Sequence, residues 1–247
     1  MTVPLELKIL SSPAELAATV ADRFLQRMAA AQGRGEEPHV ALTGGTIAHD
    51  VHREIAQRAE AGGHSVDWSR VTFWWGDERF VAADSSDRNA LDARAVFLDP
   101  VGATAVREVP STDDAADVEA AATAYGDQLR ASGAGEFDLV MLGLGPDGHV
   151  ASLFPGFQQL DADGITVAVT GSPKPPPERV SLTFPALNRT RAAWFLVTGD
   201  AKADAVRRAL ADRGDVHETP ARGIRPAPLH GPGETIWFLD LAAASKL

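Results

Sequence analysis

Residues 137–149 read FDLVMLGLGPDGH, and this stretch decides the fold of the chain. Its first six residues are apolar except for Asp138, a pattern typical of a strand that is covered on both faces in a parallel sheet. Short apolar strands of this kind alternate with helical patterns along the whole chain. The alternation predicts an α/β protein with a doubly wound, mostly parallel sheet and helices on both faces. We expect a single domain over residues 1–247.

The predicted helices and strands follow from hydrophobic periodicity and capping signals. Ser12-Pro13-Ala14-Glu15 is a capping box with proline at the first helical position, and it opens a helix over 13–32. A second helix ends near Ala61, and residues 76–89 are predicted to form a long polar loop. The other predicted helices cover 90–98, 113–132 and 200–212, and the predicted strands cover 39–42, 71–75, 137–142, 165–169, 179–184, 193–198 and 235–239.

Composition excludes several classes of protein. The chain has 247 residues, of which 45% are hydrophobic, so it can bury a core. It contains no cysteine, which excludes disulfides, thiolate metal sites and cysteine nucleophiles. The net charge of −11 argues against a general nucleic-acid binder, which needs a basic face. A small anionic ligand is still compatible with this charge, because its site needs only local positive charge.

Targeting signals are weak. The first residues have no basic segment followed by an apolar one, and no apolar run approaches the ~20 residues that span a bilayer. We therefore expect a cytoplasmic protein without a membrane partner. Ser245-Lys246-Leu247 matches a peroxisomal address, but the Ala- and Arg-rich composition resembles a high-GC bacterial protein, in which we expect the match to be coincidental. No coiled-coil heptads occur, so a monomer is the default expectation.

The loops that follow strands are the candidates for function, because ligands of open α/β sheets bind at the carboxyl ends of strands. The first is Thr43-Gly44-Gly45-Thr46, which leaves a strand and opens a helix. Its glycines and free helix N–H groups could cradle a phosphate, or it could be an ordinary tight turn. No Gly-Lys-Ser/Thr follows, so a P-loop nucleoside triphosphatase is not indicated.

The second loop, residues 76–80, carries two acids and one arginine directly after a strand. Asp77 could bind a sugar hydroxyl and Arg79 a phosphate, although a solvated turn with a local ion pair is commoner. The third loop, residues 143–149, matches the dinucleotide fingerprint by letter only. Pro155, Gly156 and Gly164 leave no room for the crossover helix that this fingerprint requires.

What the third loop does offer is a histidine beside a carboxylate. His149 can act as a general base near neutral pH, and Asp147 can orient it and support its charged form. On spacing alone, a helix-capping role for His149 is equally compatible. No histidines have a zinc-type spacing with a third ligand, and no G-x-S-x-G elbow of a serine hydrolase occurs. We therefore expect neither a metal nor a cofactor.

These loops together resemble the 6-phosphogluconolactonase family. The GLGPDGH loop with its SLFPG tail is the most specific match, and the matches run in family order over most of the chain. The matching stretches are 42–46, 75–81 with Asn89, 143–156, 174–183, 187–188 and 197–202.

The resemblance implies a Rossmann-like sheet, shared with glucosamine-6-phosphate deaminases and ribose-5-phosphate isomerases. It implies hydrolysis of 6-phospho-D-glucono-1,5-lactone to 6-phosphogluconate in the oxidative pentose phosphate pathway. It implies that His149 is the general base and that Asp147 orients it. The residues that it implies for the phosphate and sugar contacts are Thr43, Gly44, Gly45, Thr46, Asp77, Arg79, Lys174, Arg179 and Lys202.

Two other functions stay open at this point. One is a sugar-phosphate deaminase or isomerase on the same fold, which needs a carboxylate base that Asp77 could provide. The other is a non-catalytic sugar-phosphate-binding domain. Lys174 lies within a proline-rich stretch, residues 171–177, which we interpret as a stiff loop that holds Lys174 in place.

Overall fold

A computed structural model describes residues 5–62, 64–133 and 135–247. The strands are β1 (Leu5–Leu10), β2 (His39–Leu42), β3 (Thr72–Trp75), β4 (Asp77–Arg79), β5 (Ala105–Val106), β6 (Leu139–Leu142), β7 (Thr166–Val169), β8 (Arg179–Leu182), β9 (Ala192–Val197) and β10 (Glu234–Asp240). Seven of them form a parallel sheet in the order β1-β10-β9-β6-β2-β3-β5. The predicted α/β class with a mostly parallel sheet is confirmed.

Helices cover both faces of this sheet. They are α1 (Pro13–Gly33), α2 (Thr46–Glu60), α3 (Asn89–Ala93), α4 (Val118–Ala131), α5 (Phe184–Asn188) and α6 (Ala203–Leu210). On one face, Arg23 of α1 donates to Glu6 of β1 at 3.0 Å. On the other face, Phe195 and Trp237 stack at 3.8 Å and line a groove together with Leu210 of α6.

Half of the predicted capping box forms at Ser12, since the Glu15 carboxylate accepts from Ser11 N and Ser11 Oγ rather than from Ser12 N. The Ser12 hydroxyl accepts from the backbone N–H of Glu15 at 3.2 Å, and Pro13 occupies the first turn of α1. Phe24 and Met28 of this helix are fully buried. The predicted helix 13–32 is therefore confirmed. No helix in the described part of the chain is long and apolar enough to cross a lipid bilayer.

The structure differs from the predicted elements in one respect that shapes the site. The strands predicted at 165–169 and 179–184 exist as β7 and β8, but they leave the parallel sheet and join β4 in a small antiparallel sheet. β4 lies inside the predicted 76–89 loop. Its three residues are Asp, Glu and Arg, so no hydrophobic alternation could reveal it. The pairing sets Arg79 opposite Arg179.

Other boundaries shift by a few residues. Helix α4 begins at Val118 rather than near 113, because the Asp117 carboxylate caps it by accepting from Ala120 N at 2.8 Å. The helix predicted at 90–98 is α3 followed by a π-helical turn. β1 was not predicted, although LELKIL alternates apolar and charged residues; in the structure Leu5, Leu7 and Ile9 form its exposed face.

Candidate active site

The loops after β2, β3 and β6 meet at the carboxyl edge of the parallel sheet, and the small sheet closes one side. Between them lies a cleft of about 240 Å³. A larger groove of about 510 Å³ lies beside α2 and Trp68, but it gathers no comparable set of loop residues. The lining of the cleft includes Thr43, Gly44, Gly45, Asp77, Arg79, Asn89, Gly143, Leu144, Gly145, His149, Lys174, Arg179 and Lys202.

The structure thus brings nearly all the residues singled out from the sequence to one place. Asp147 does not line the cleft itself, but its carboxylate contacts His149. Thr46 is the exception, because it lies exposed in the first turn of α2 and does not line the cleft.

His149 and Asp147 form a close pair within a tight turn. The His149 Nδ1 atom lies 2.5 Å from Asp147 Oδ1, and the His149 backbone N–H donates to the same oxygen at 3.2 Å. Burial raises the pKa of Asp147, but the hydrogen bond and charge of His149 outweigh it and lower that pKa to about 2. Asp147 is therefore ionised near neutral pH and can only accept. Nδ1 must carry the proton, so a neutral His149 has its lone pair on Nε2.

Glycine at position 145 is required by this close packing. Gly145 N donates to the His149 carbonyl at 2.9 Å, and Gly148 N donates to Gly145 O at 2.9 Å. A Cβ on Gly145 would overlap both the imidazole of His149 and the carboxylate of Asp147. Gly145 is therefore needed for a steric reason, since only a residue without a side chain leaves room for His149 and Asp147.

Phe154 packs against the imidazole ring of His149. Its ring centre lies 4.6 Å from that of His149, and the Arg179 guanidinium lies 5.8 Å from the same ring. Phe154 is buried, so its ring restricts where both side chains can lie. No role was predicted for Phe154 from the sequence, although it stands in the SLFPG tail.

Cationic side chains surround the rest of the cleft, and two of them also hold the loops. Arg179 donates to the carbonyls of Lys174 at 2.9 Å and Pro176 at 3.3 Å, so it fixes the proline-rich loop. Burial lowers the pKa of Arg179, while the nearby Asp77 charge opposes that shift. Lys202 Nζ donates to Leu144 O at 2.6 Å; burial lowers the pKa of this amine, and the Lys174 charge lowers it further.

A buried carboxylate that the sequence analysis left without a role anchors the second loop. Glu78 is fully buried and accepts from the backbone N–H groups of Asn89 and Ala90, each at 2.8 Å. Burial raises its pKa to about 6, although these N–H groups act in the opposite direction. Asn89 in turn accepts from Arg79 Nη1 and donates to Asp77 O at 3.0 Å. Within the Asp-Glu-Arg triplet, Asp77 and Arg79 therefore line the cleft, while Glu78 anchors the loop behind it.

The Asp77 carboxylate is also constrained. Ser152 Oγ donates to Asp77 Oδ2 at 2.7 Å, and both side chains are buried. The hydrogen bond from Ser152 therefore fixes one carboxylate oxygen of Asp77, and Asp77 lines the cleft.

Comparison with known proteins assigns the family. Residues 11–237 match the family of glucosamine-6-phosphate isomerases and 6-phosphogluconolactonase. The chain belongs to this family.

Among its relatives, 6-phosphogluconolactonase of Streptomyces coelicolor is 38% identical, over 94% of this chain and 90% of that protein. The crystal structure of 6-phosphogluconolactonase from Thermotoga maritima superposes with a TM-score of 0.82 at 27% identity, over 96% of this chain and 100% of that one. A monomeric glucosamine-6-phosphate deaminase reaches a TM-score of 0.81 at 18% identity, over 98% of this chain and 100% of that one. At this identity the likeness to the deaminase shows a shared fold and not a shared activity.

Proposed function

We propose that this chain hydrolyses 6-phospho-D-glucono-1,5-lactone to 6-phospho-D-gluconate, with His149 as the general base. The observation that carries the proposal is the His149–Asp147 pair at the edge of a cleft that also receives Arg79, Lys174 and Lys202. A basic imidazole and a cluster of cations are what a phosphorylated, electrophilic ester requires. The named lactonase relatives support the same substrate class.

In the proposed reaction, His149 Nε2 takes a proton from water as the water oxygen attacks the lactone C1 carbonyl. The tetrahedral intermediate then collapses, the bond from C1 to the ring oxygen breaks, and the imidazolium returns its proton to that oxygen. Asp147 holds the Nδ1–H tautomer and stabilises the imidazolium charge. General acid–base assistance of this kind is typically worth about 10²–10⁴-fold in rate.

The phosphate end of the substrate would be held by charge-assisted hydrogen bonds from Arg79, Lys174, Arg179 and Lys202. The start of α2 can add donors, because the first N–H groups of a helix have no partner within the helix and Gly45, the cap residue of α2, lines the cleft. Thr43 and Gly44 lie in the same turn, and Thr46 remains a proposed contact. We propose action in the cytoplasm, without a cofactor, metal or nucleic-acid partner.

The test is a pair of matched histidine variants assayed with 6-phosphogluconolactone. His149→Ala should lower kcat about 10²–10⁴-fold with little change in KM. His217 is the control, because it also pairs with a carboxylate, Asp161 at 3.4 Å, but does not line the cleft. His217→Ala should keep kcat within about twofold. If His149→Ala keeps kcat within about threefold, His149 is not the base.

One observation favours the deaminase alternative: Asp77 lines the cleft and could serve as a carboxylate base. The wild-type chain should therefore also be given glucosamine 6-phosphate. Release of ammonia without lactone hydrolysis would favour that alternative. Binding of either sugar phosphate without turnover would favour the non-catalytic domain.

A further inference from the structure

β1 is an edge strand with an unusual distribution of side chains. Among the described residues, β10 is the only strand paired with it. Its outer edge therefore carries backbone N–H and C=O groups that can pair with another strand. On one face of β1, the side chains of Leu5, Leu7 and Ile9 are 56%, 43% and 48% exposed. An edge with exposed apolar side chains is a surface on which a further strand would bury area.

The opposite face of β1 carries one acid and one base, placed symmetrically about Leu7. Glu6 and Lys8 lie 3.2 Å apart between Glu6 Oε1 and Lys8 Nζ. Arg23 of α1 also donates to Glu6 at 3.0 Å. The side chains of Glu6 and Lys8 remain 44% and 32% exposed, so both are accessible at the edge.

We propose that β1 is a self-association surface, on which two copies of this chain pair antiparallel about a two-fold axis at Leu7. In this register Glu6 of each copy faces Lys8 of the other, so symmetry produces two cross-strand ion pairs. On the other face, Leu7 meets Leu7 and Leu5 meets Ile9. Both faces are thus self-complementary, and the sheet continues from one copy into the next.

Charge selects this register over its neighbours. Residues opposite each other in an antiparallel pair share a face, so a two-fold pairing can slide only in steps that keep each side chain on its own face. The next register in one direction sets Glu6 against Glu6. The next register in the other direction sets Lys8 against Lys8. Like charges directly opposite each other are destabilising, so the pairing at Leu7 is favoured.

The size of β1 sets the expected strength of the association. The strand has six residues, so strand pairing alone buries an area at the small end of specific interfaces. The dimer should therefore be in exchange with monomer and should dissociate on dilution. It would replace the monomer expected from the absence of heptads.

Sedimentation velocity of the full chain from about 1 µM to about 500 µM, a range that covers weak dimers, tests the proposal. The wild-type chain should convert to a species of twice its mass as concentration rises. Glu6→Lys and Lys8→Glu should each be monomeric, because each sets like charges opposite each other. An equimolar mixture of these two variants should associate again, since the two lysines of one copy then face the two glutamates of the other.

Glu37→Lys makes the same charge change at an exposed position outside β1 and should leave the dimer intact. Circular dichroism and lactone hydrolysis establish that each variant is folded. A wild-type chain that is monomeric over the whole range overturns the proposal. So does a dimer that persists in both single variants, or a mixture of those variants that stays monomeric.

Discussion

Gly145→Ala should abolish most of the proposed activity without altering any atom of His149 or Asp147. A Cβ at position 145 overlaps the imidazole and the carboxylate. The imidazole cannot move toward Phe154, because its ring already packs at 4.6 Å on that buried side chain. The added methyl group must therefore displace the pair from its position in the cleft.

The size of the effect follows from the loss of a positioned base. We expect kcat to fall by about 10²–10⁴-fold. KM should change little, because Arg79, Lys174 and Arg179 lie on other segments of the chain. Overpacking of this kind costs about 1–3 kcal/mol, which leaves the protein folded. For a chain of this length, Tm should fall by about 2–4 °C per kcal/mol.

The assay is steady-state lactone hydrolysis, followed by acid release, together with a thermal melt of each variant. Gly143→Ala is the matched control in the same loop. A Cβ there lies 3.9 Å from its nearest neighbour, Thr43 Oγ1, which is an ordinary contact. It should lower kcat by no more than a small factor. If Gly145→Ala keeps kcat within about threefold of the wild type, the steric argument and the role it gives to the pair are wrong.

Three further predictions test the charged groups. Asp147→Asn should lower kcat about 10²–10⁴-fold by reversing the His149 tautomer. The pKa of Asp147 is lowered from 3.8 to about 2, so the stabilisation that its carboxylate provides is lost as pH falls from 3.8 to about 2. The Tm values of the wild type and of Asp147→Asn should therefore converge over that pH interval. Burial raises the pKa of Glu78 from 4.5 to about 6, so the wild type should lose stability as pH rises across that interval, and Glu78→Gln should lack this slope in urea titrations. At pH 7 the same variant should lose about 1–3 kcal/mol, because its amide sets a donor against backbone N–H groups. Lys202→Met should raise KM for the phosphorylated lactone about 10–100-fold, equivalent to about 1.5–3 kcal/mol for a charged hydrogen bond; an equal rise for the unphosphorylated lactone would exclude a phosphate contact.

The parallel sheet and the position of the cleft could be predicted from the sequence. β6 is apolar throughout, and the helical period of α1 is regular, so burial alone defines these elements. Once the strands are known to be parallel, the loops after them must meet at one edge. That rule brings Thr43, Asp77 and His149 together without any side-chain information.

The small antiparallel sheet and the supporting contacts could not be predicted in this way. β4 is three charged residues long, and its strand conformation depends on pairing with β8, about a hundred residues away in the chain. The roles of Glu78 and Phe154 likewise depend on tertiary packing. Glu78 anchors the loop only because the fold brings the backbone of Asn89 next to it, and no local sequence pattern indicates this contact.

The small sheet also offers an acidic chain a local cationic site for the phosphate of the proposed substrate. Its register sets Arg79 directly opposite Arg179, and like charges in that arrangement destabilise each other. Burial lowers the pKa of Arg179 and the Arg79 charge adds to that shift, while the charges of Asp77 and Glu78 oppose it without cancelling it. An anion placed between the two guanidinium groups would relieve this repulsion as well as form charge-assisted hydrogen bonds. The net charge of −11 repels a dianion at long range, but that field is screened beyond a Debye length of about 8 Å. We therefore expect binding to be governed by the local cations of the cleft, among them the two arginines that β4 and β8 set opposite each other, rather than by the net charge.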